Sequence, residues 1–337
     1  LSDALGREEA GASLLDKNWQ ARLRLHFCAA EPEKELRLGQ YTVLPVPSAH
    51  DPAGGSLLYA IWDGKTAVLY GTDSLFFGAE WFRLQKPETL HVVSYDGKLL
   101  SARFLPCDNA RGTILLFHGY RSSALLDFGL EVEFLHKQGY NLLLCDQRAH
   151  GASQGRFLTF GVRERCDVLP WVTYLAQRLG PEHPMYLSGM SMGATTVLMA
   201  SCFEFPANVR GIVADCGFTS PWDIMKSVLH ARCKWLPAAP LLLALNVFST
   251  LLGGFSLREC STTGAAAKYP ILFIHGKADD FVPTRMSQEA YDACASEKRL
   301  VLIDGAAHAK SYITDPARVQ SALEDFFENH LPKEEQV

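Results

Sequence analysis

The stretch MYLSGMSMGATTVLMA, residues 185–200, joins a short apolar run to an apolar helical pattern through Gly189-Met190-Ser191-Met192-Gly193. With MYLS as a strand and a helix from about Ala194, this G-x-S-x-G pentapeptide is a strand-to-helix turn. Such a turn strains the serine backbone and holds its hydroxyl clear of the sheet. The flanking glycines let strand and helix approach without a Cβ clash. The helix N-terminus behind the serine favours negative charge. Ser191 is therefore the expected nucleophile at a nucleophile elbow.

Outward from this turn, apolar runs alternate with amphipathic ones. Strands are expected at TILLF (113–117), YNLLLC (140–145), MYLS (185–188), GIVA (211–214), ILFI (271–274) and LVLI (300–303). Helices are expected near 125–137, 162–178, 192–202, 285–295 and 316–329. Continuous apolar strands separated by helices imply an α/β protein with a mostly parallel sheet covered on both faces. Residues 91–95 and 98–104, joined at Asp96-Gly97, read as an antiparallel hairpin ahead of it.

A serine nucleophile needs a base, and the base an orienting carboxylate. ILFIHGKADDFVP (271–283) carries Asp279 and Asp280 just beyond a strand end, and His308 follows the last strand in DGAAH (304–308). Open parallel sheets place their sites at these C-terminal strand ends. LLFHGY (115–120) runs from a strand into a glycine turn. There the Tyr120 N–H, with the Met192 N–H, would receive a developing oxyanion. His118 precedes that turn and reads as a brace for it. His26, His50, His136, His183, His230 and His330 read as surface or packing residues.

Over residues 88–332 the chain resembles the α/β-hydrolase superfamily, most closely bacterial serine esterases and acyl-peptidase-like hydrolases. The resemblance rests on SYDG (94–97), LLFHGY (115–120), CDQRAHGAS (145–153), GMSMG (189–193), ADCGFTS (214–220), IHGKADDFVP (274–283) and GAAH (305–308). It implies the α/β-hydrolase fold and a Ser…Asp…His order along the chain. The triad acid falls at the first aspartate of HG-x-x-D, here Asp279, with Asp280 as the fallback if the loop is shifted by one. DQRAHG, with Asp146, Arg148 and His150, is similar to a family loop that buttresses the site's rim.

The insertion 221–263 occupies the superfamily's cap position. Trp222, Met225, Val228, Leu229, Trp235, Leu236 and the run LLLALNVFSTLL (241–252) would roof Ser191 with an apolar ceiling, or simply form the cap's own core. No lysine-rich polar face accompanies that run, so a membrane-surface lid is not expected. Residues 1–86 precede a boundary expected near Lys86-Pro87. Within them, 33–85 resembles a fragment of a metallo-β-lactamase-fold hydrolase. That resemblance sets Asp73 at a metal-bridging place, but the HxHxDH cluster is missing and Asp73 with His50 makes too few ligands. A structural or interaction role is expected for this segment, with homo-oligomer formation through it.

The 337 residues are 48% hydrophobic and 20% charged, the composition of a folded globular chain. A net charge of −5 without a basic run gives no footprint for nucleic acid. The opening LSDALGREEAGASLLDKNW reads as no secretory signal, and the longest apolar run is too short for a membrane span. Nine cysteines without CxxC pairs suggest reduced thiols and a cytoplasmic location. The expected activity is ester cleavage by a serine hydrolase acting on a small-molecule ester or acyl substrate, without cofactor or metal. Peptidase, amidase or thioesterase chemistry on the same triad is the alternative. A metal-dependent hydrolase and a non-catalytic binding protein stand behind these.

Overall fold

The computed structural model describes residues 81–232, 238–265 and 267–332, together with strand segments 36–38, 41–47, 57–62 and 67–70. The chain divides into two compact units, Leu1–Asp73 and Ser74–Val337.

In the first unit β1 (Leu36–Leu38), β2 (Tyr41–Pro47), β3 (Leu57–Trp62) and β4 (Ala67–Tyr70) form an antiparallel sheet in chain order. The sequence shows strand-like pieces at 41–46, 57–62 and 67–70 but none at β1, whose three residues are too few to show alternation. Asp73 and His50 lie outside the described residues.

The second unit begins ahead of the expected Lys86-Pro87 boundary. Residues 81–84 are helical, and Phe82 is buried with Leu105, Ile114 and Leu142, which ties this turn to the larger core. A hairpin of β5 (Glu88–Val93) and β6 (Leu99–Leu105) follows. Then come β7 (Gly112–Phe117), α1 (Ala124–Phe128), α2 (Val132–Lys137), β8 (Tyr140–Cys145), α3 (Glu164–Leu179) and β9 (Met185–Met190). The chain continues through α4 (Met192–Ala200), β10 (Val209–Asp215), α5 (Pro221–Arg232), α6 (Ala238–Gly253) and β11 (Ile271–Gly276). It closes with α7 (Arg285–Ala293), β12 (Lys298–Ile303), α8 (Ser311–Thr314) and α9 (Pro316–His330).

The eight strands lie in the order β5-β6-β8-β7-β9-β10-β11-β12, parallel from β8 to β12. This is the α/β-hydrolase fold. Strands β7, β8, β9 and β11 are buried at every position, as their unbroken apolar runs require. Alternate residues feed two layers. Ile114, Leu116, Leu142 and Tyr186 face Val132, Leu135, Phe326 and Phe327. Leu115, Phe117, Leu143 and Leu187 face Trp171, Val172 and Val197. Each such large side chain contributes about 1.5–3 kcal/mol by leaving water. Helix α9 buries Val319, Ala322, Leu323, Phe326 and Phe327, an i, i+3, i+4, i+7, i+8 stripe, and Asp315 caps it by accepting from the Arg318 N–H at 3.1 Å.

Two features depart from the sequence reading. The helix expected over 125–137 is split by a turn at residues 129–131, which leaves Glu131 buried at the start of α2. The insertion does not turn its whole apolar length toward Ser191. On α5 only Ile224 and Val228 join the cluster around Met192, Phe218, Val282 and Met286. Trp222 packs instead with Val162, Phe255, Leu257 and Cys260, under the Arg258 guanidinium 3.5 Å from its ring centre. Met225 and Leu229 are half-buried, and Trp235 and Leu236 lie outside the described residues. Of the 241–252 run, only Leu242 is buried.

Candidate active site

Ser191 heads α4 with φ 55° and ψ −113°, a left-handed backbone rare for a residue with a side chain. The turn closes because its glycines have no Cβ. One at Gly193 would strike the Phe117 carbonyl, and one at Gly189 would strike the backbone of Gly193. The Ser191 N–H donates to the Asp215 carbonyl at 2.8 Å, which pins the turn to the neighbouring strand β10.

The structure brings Ser191, Asp279 and His308 together across 117 residues of chain. Ser191 Oγ lies 2.9 Å from His308 Nε2, and His308 Nδ1 lies 2.7 Å from Asp279 Oδ2. Asp280, one residue on, is exposed and makes neither contact. Asp279 Oδ1 accepts from the backbone N–H groups of Phe281 and Val282 at 3.0 and 2.8 Å. Burial alone would raise this carboxyl. Hydrogen bonds from His275 and His308, with the Val282 N–H, outweigh it and hold the pKa at about 2. Asp279 is thus a fixed anion. The Phe281 ring packs 5.0 Å from the His308 ring.

His275 is a site residue that sequence reasoning missed. It is fully buried, and its Nε2 lies 3.1 Å from Asp279 Oδ2 and 3.0 Å from the Val282 carbonyl. Both partners are acceptors, so Nε2 carries the proton. Its Nδ1 sits 2.6 Å from Ser287 Oγ on α7. The only local signal was its place at the end of strand ILFIHG, since these contacts depend on how the following loop turns back.

The turn after β7 is held from two sides. The Gly119 N–H and the Ser122 hydroxyl both donate to Asp127, at 2.6 Å each. His118 is buried, and desolvation lowers its pKa to about 4 despite its bond to the Gly119 carbonyl. Its Nε2 accepts from the Gln147 N–H at 3.1 Å, so the neutral ring braces the loop. Arg148 makes a bidentate pair with Asp167, both bonds 2.6 Å, and reaches Asp96 at 3.2 Å. His150 accepts from the Arg121 N–H at 3.1 Å. No described group accepts from the Tyr120 N–H, and Met192 opens α4, where the first N–H groups lack helical acceptors.

Behind the site lie two buried acids, Asp215 and Glu131, and the half-buried Asp127. Asp215 accepts from Ser311 Oγ at 2.9 Å, and burial raises its pKa to about 6. Burial also raises Asp127, and raises Glu131 to about 8 with help from the charges of Asp215 and Asp127. Cys216, Asp279 and His308 offer ligand atoms within 4.8 Å of one another, a spacing that could take a cation. Their chemistry fits one poorly, because Asp279 and His308 already bond each other and burial pushes the Cys216 thiol well up.

Comparisons with known proteins agree with the fold. Residues 108–250 and 245–311 match the family described as serine aminopeptidase, S33. The Bacillus subtilis protein YqkD is 30% identical over 219 residues, covering 64% of this chain and 71% of that one. A plant relative, caffeoylshikimate esterase of Arabidopsis thaliana, is 27% identical over 140 residues, 40% of this chain and 42% of its own. Among solved structures, the Pyrococcus furiosus esterase Pf2001 superposes with a TM-score of 0.59 at 25% identity, covering 74% of this chain and 94% of that one. The Pyrococcus horikoshii acylaminoacyl peptidase superposes with a TM-score of 0.58 at 16% identity, covering 89% and 50%. The family match spans more than half of the sequence and includes Ser191, Asp279 and His308, and the chain belongs to the serine aminopeptidase S33 family of α/β-hydrolases.

Proposed function

We propose that the protein is a serine hydrolase that cleaves carboxylic esters of small molecules through an acyl-enzyme. The observation that carries this reading is the continuous hydrogen-bonded chain Ser191 Oγ–His308 Nε2–His308 Nδ1–Asp279 Oδ2. Ser191 Oγ attacks the carbonyl carbon while His308 Nε2 takes the hydroxyl proton. The carbonyl π pair moves to oxygen, where the N–H groups of Tyr120 and Met192 receive it; losing one such donor costs about 10²–10³ in turnover. His308 passes its proton to the leaving alkoxide as the C–O bond breaks. Water then repeats the attack with His308 as base and returns Ser191. Asp279 stays ionised throughout and holds the proton on Nδ1.

The esterase description of the Pyrococcus furiosus and Arabidopsis proteins supports an ester substrate. The family's aminopeptidase description favours a peptide or amide as second reading. We place the protein in the cytoplasm on the strength of its free cysteines: Cys107, Cys145, Cys166, Cys202, Cys216, Cys260 and Cys294 are all unpaired among the described residues. Residues 1–86 take a structural or self-association role, through an edge strand of the four-stranded sheet.

The test is intact mass after a fluorophosphonate, with Ser191→Ala and an EDTA-treated sample alongside. One adduct that is absent from Ser191→Ala and indifferent to EDTA is expected; an unlabelled wild type would sink the mechanism. A panel of matched esters and aminoacyl amides then separates the two substrate classes.

A further inference from the structure

Helix α6 carries no charged residue, and seven of its large apolar side chains are exposed: Leu241, Leu243, Leu245, Val247, Phe248, Leu251 and Leu252. Leu251 and Leu252 retain 75% and 68% of their surface. At 100° per residue these seven span an arc of about 200°. The opposite strip holds Leu242, Asn246 and Ser249, and it uses its polar groups to fasten the helix. Asn246 Oδ1 accepts from Ser256 Oγ at 3.0 Å and from the Leu257 N–H at 2.8 Å, while the Phe255 N–H donates to the Ser249 carbonyl at 3.3 Å. The helix is inverted, with polar positions inward and apolar positions outward, against the rule for a helix on a water-facing surface.

We infer that α6 docks the protein onto an anionic lipid surface, lying in the interface with its outer arc among the acyl chains. A partner helix covers a stripe of about 100°, whereas a bilayer surface takes in a convex arc twice that wide. At about 1.5 Å per residue the helix is about 24 Å long, so it lies on the membrane and does not span it.

Charge points the same way. The insertion 221–263 has four cations, Lys226, Arg232, Lys234 and Arg258, against the acids Asp223 and Glu259, within a chain of net charge −5. The C-terminal end of α6 shares a cleft of about 830 Å³ with Arg156, Arg163, Tyr95 and Phe157. In that cleft Lys98 is paired with Asp96 and Arg148 with Asp167, and Arg163 donates to the Gly254 carbonyl. Arg156 is exposed and without an ion pair among the described residues. The loop after β8 thus adds one unpaired cation, Arg156, to those of the insertion. Phe157 and Tyr95, both about half exposed at 52% and 51%, add the amphipathic rings that suit a headgroup boundary.

The experiment is flotation of the full chain with phosphatidylcholine vesicles, with and without phosphatidylglycerol. The protein should float with the anionic vesicles and more weakly with the neutral ones. L251E/L252E should lose at least about tenfold in partitioning, because each buried aliphatic side chain is worth about a factor of ten or more. R156E should narrow the difference between the two lipids, as should added salt. Thermal melts that match the wild type show that both variants are folded. A wild type that stays behind with both vesicles overturns the proposal, as does L251E/L252E floating like wild type. A dimer in sedimentation that L251E/L252E turns to monomer, without vesicle binding, assigns the arc to a second copy instead. Flotation uses no hydrolytic step, so these outcomes leave the proposed chemistry untouched.

Discussion

Helices α4 and α6 are both apolar and both free of charge, yet all nine residues of α4 are buried and one residue of α6 is. The difference lies in what each is fastened to. Helix α4 emerges from a turn with no room for a Cβ at Gly193 and packs between β9, β10 and α3, so every side chain meets protein. Helix α6 hangs from the 253–257 loop by Asn246 and Ser249, and all its leucines but Leu242 meet solvent. Hydropathy states how much apolar surface an element has; only its attachments state whether that surface is core or is offered outward.

The contrast can be broken at several points. The largest effect is expected at the site that α4 opens. Asp279→Asn should lower kcat/KM by about 10⁴ by removing the anion that fixes the His308 tautomer, whereas L251E/L252E should leave turnover of a water-soluble ester unchanged. Steady-state kinetics on both variants reads this. A large loss in the α6 variant would mean that the outer arc contacts substrate.

Stability should divide the helices next. Met199→Ala in α4, where the side chain has no exposed surface, should cost about 2–5 kcal/mol in denaturant unfolding. Leu251→Ala in α6 should stay within about 0.5 kcal/mol. Equal losses would show that the arc of α6 is covered in the folded chain.

The smallest effect concerns pH. Glu131 and Asp215 have folded pKa values raised to about 8 and about 6, so the folded state holds their protons more tightly than the unfolded chain does. Their contribution is full below pH 4 and is lost as pH rises through those values, by up to about 1.4 kcal/mol per pH unit per group. Glu131→Gln should therefore flatten the fall of Tm between pH 6 and 8. Asp279, held at about 2, acts with the opposite sign, and its contribution fades as pH falls from about 4 toward 2. An unchanged slope in Glu131→Gln would remove the buried acids from the account.

The sheet and the places of Ser191 and His308 were legible because each sits at a strand end marked by glycine, while the choice of Asp279 over Asp280 came from the resemblance to α/β-hydrolases. Local backbone geometry demands that pattern wherever it occurs. What the pattern could not carry was contact at long range. His275 has its role only because the 279–282 loop folds back on it, and Glu131 is buried only because 129–131 breaks a periodic helical run. For the cap the sequence left two readings open, a roof over Ser191 or the cap's own core, and contacts at long range divide them. Trp222 and the 241–252 run are apolar enough to roof a site, but Trp222 is drawn under Arg258 and the run is turned away by Asn246.

The order of assembly has a consequence for biosynthesis. His308 follows β12, the last strand made and an outer strand of the sheet, paired on one side only, while Ser191 sits near its middle. A ribosome that has delivered the turn at Ser191, the insertion and Asp279 has still to deliver His308. The Ser191–His308 contact therefore waits on the docking of the segment that follows β12, however early the turn at Ser191 is made.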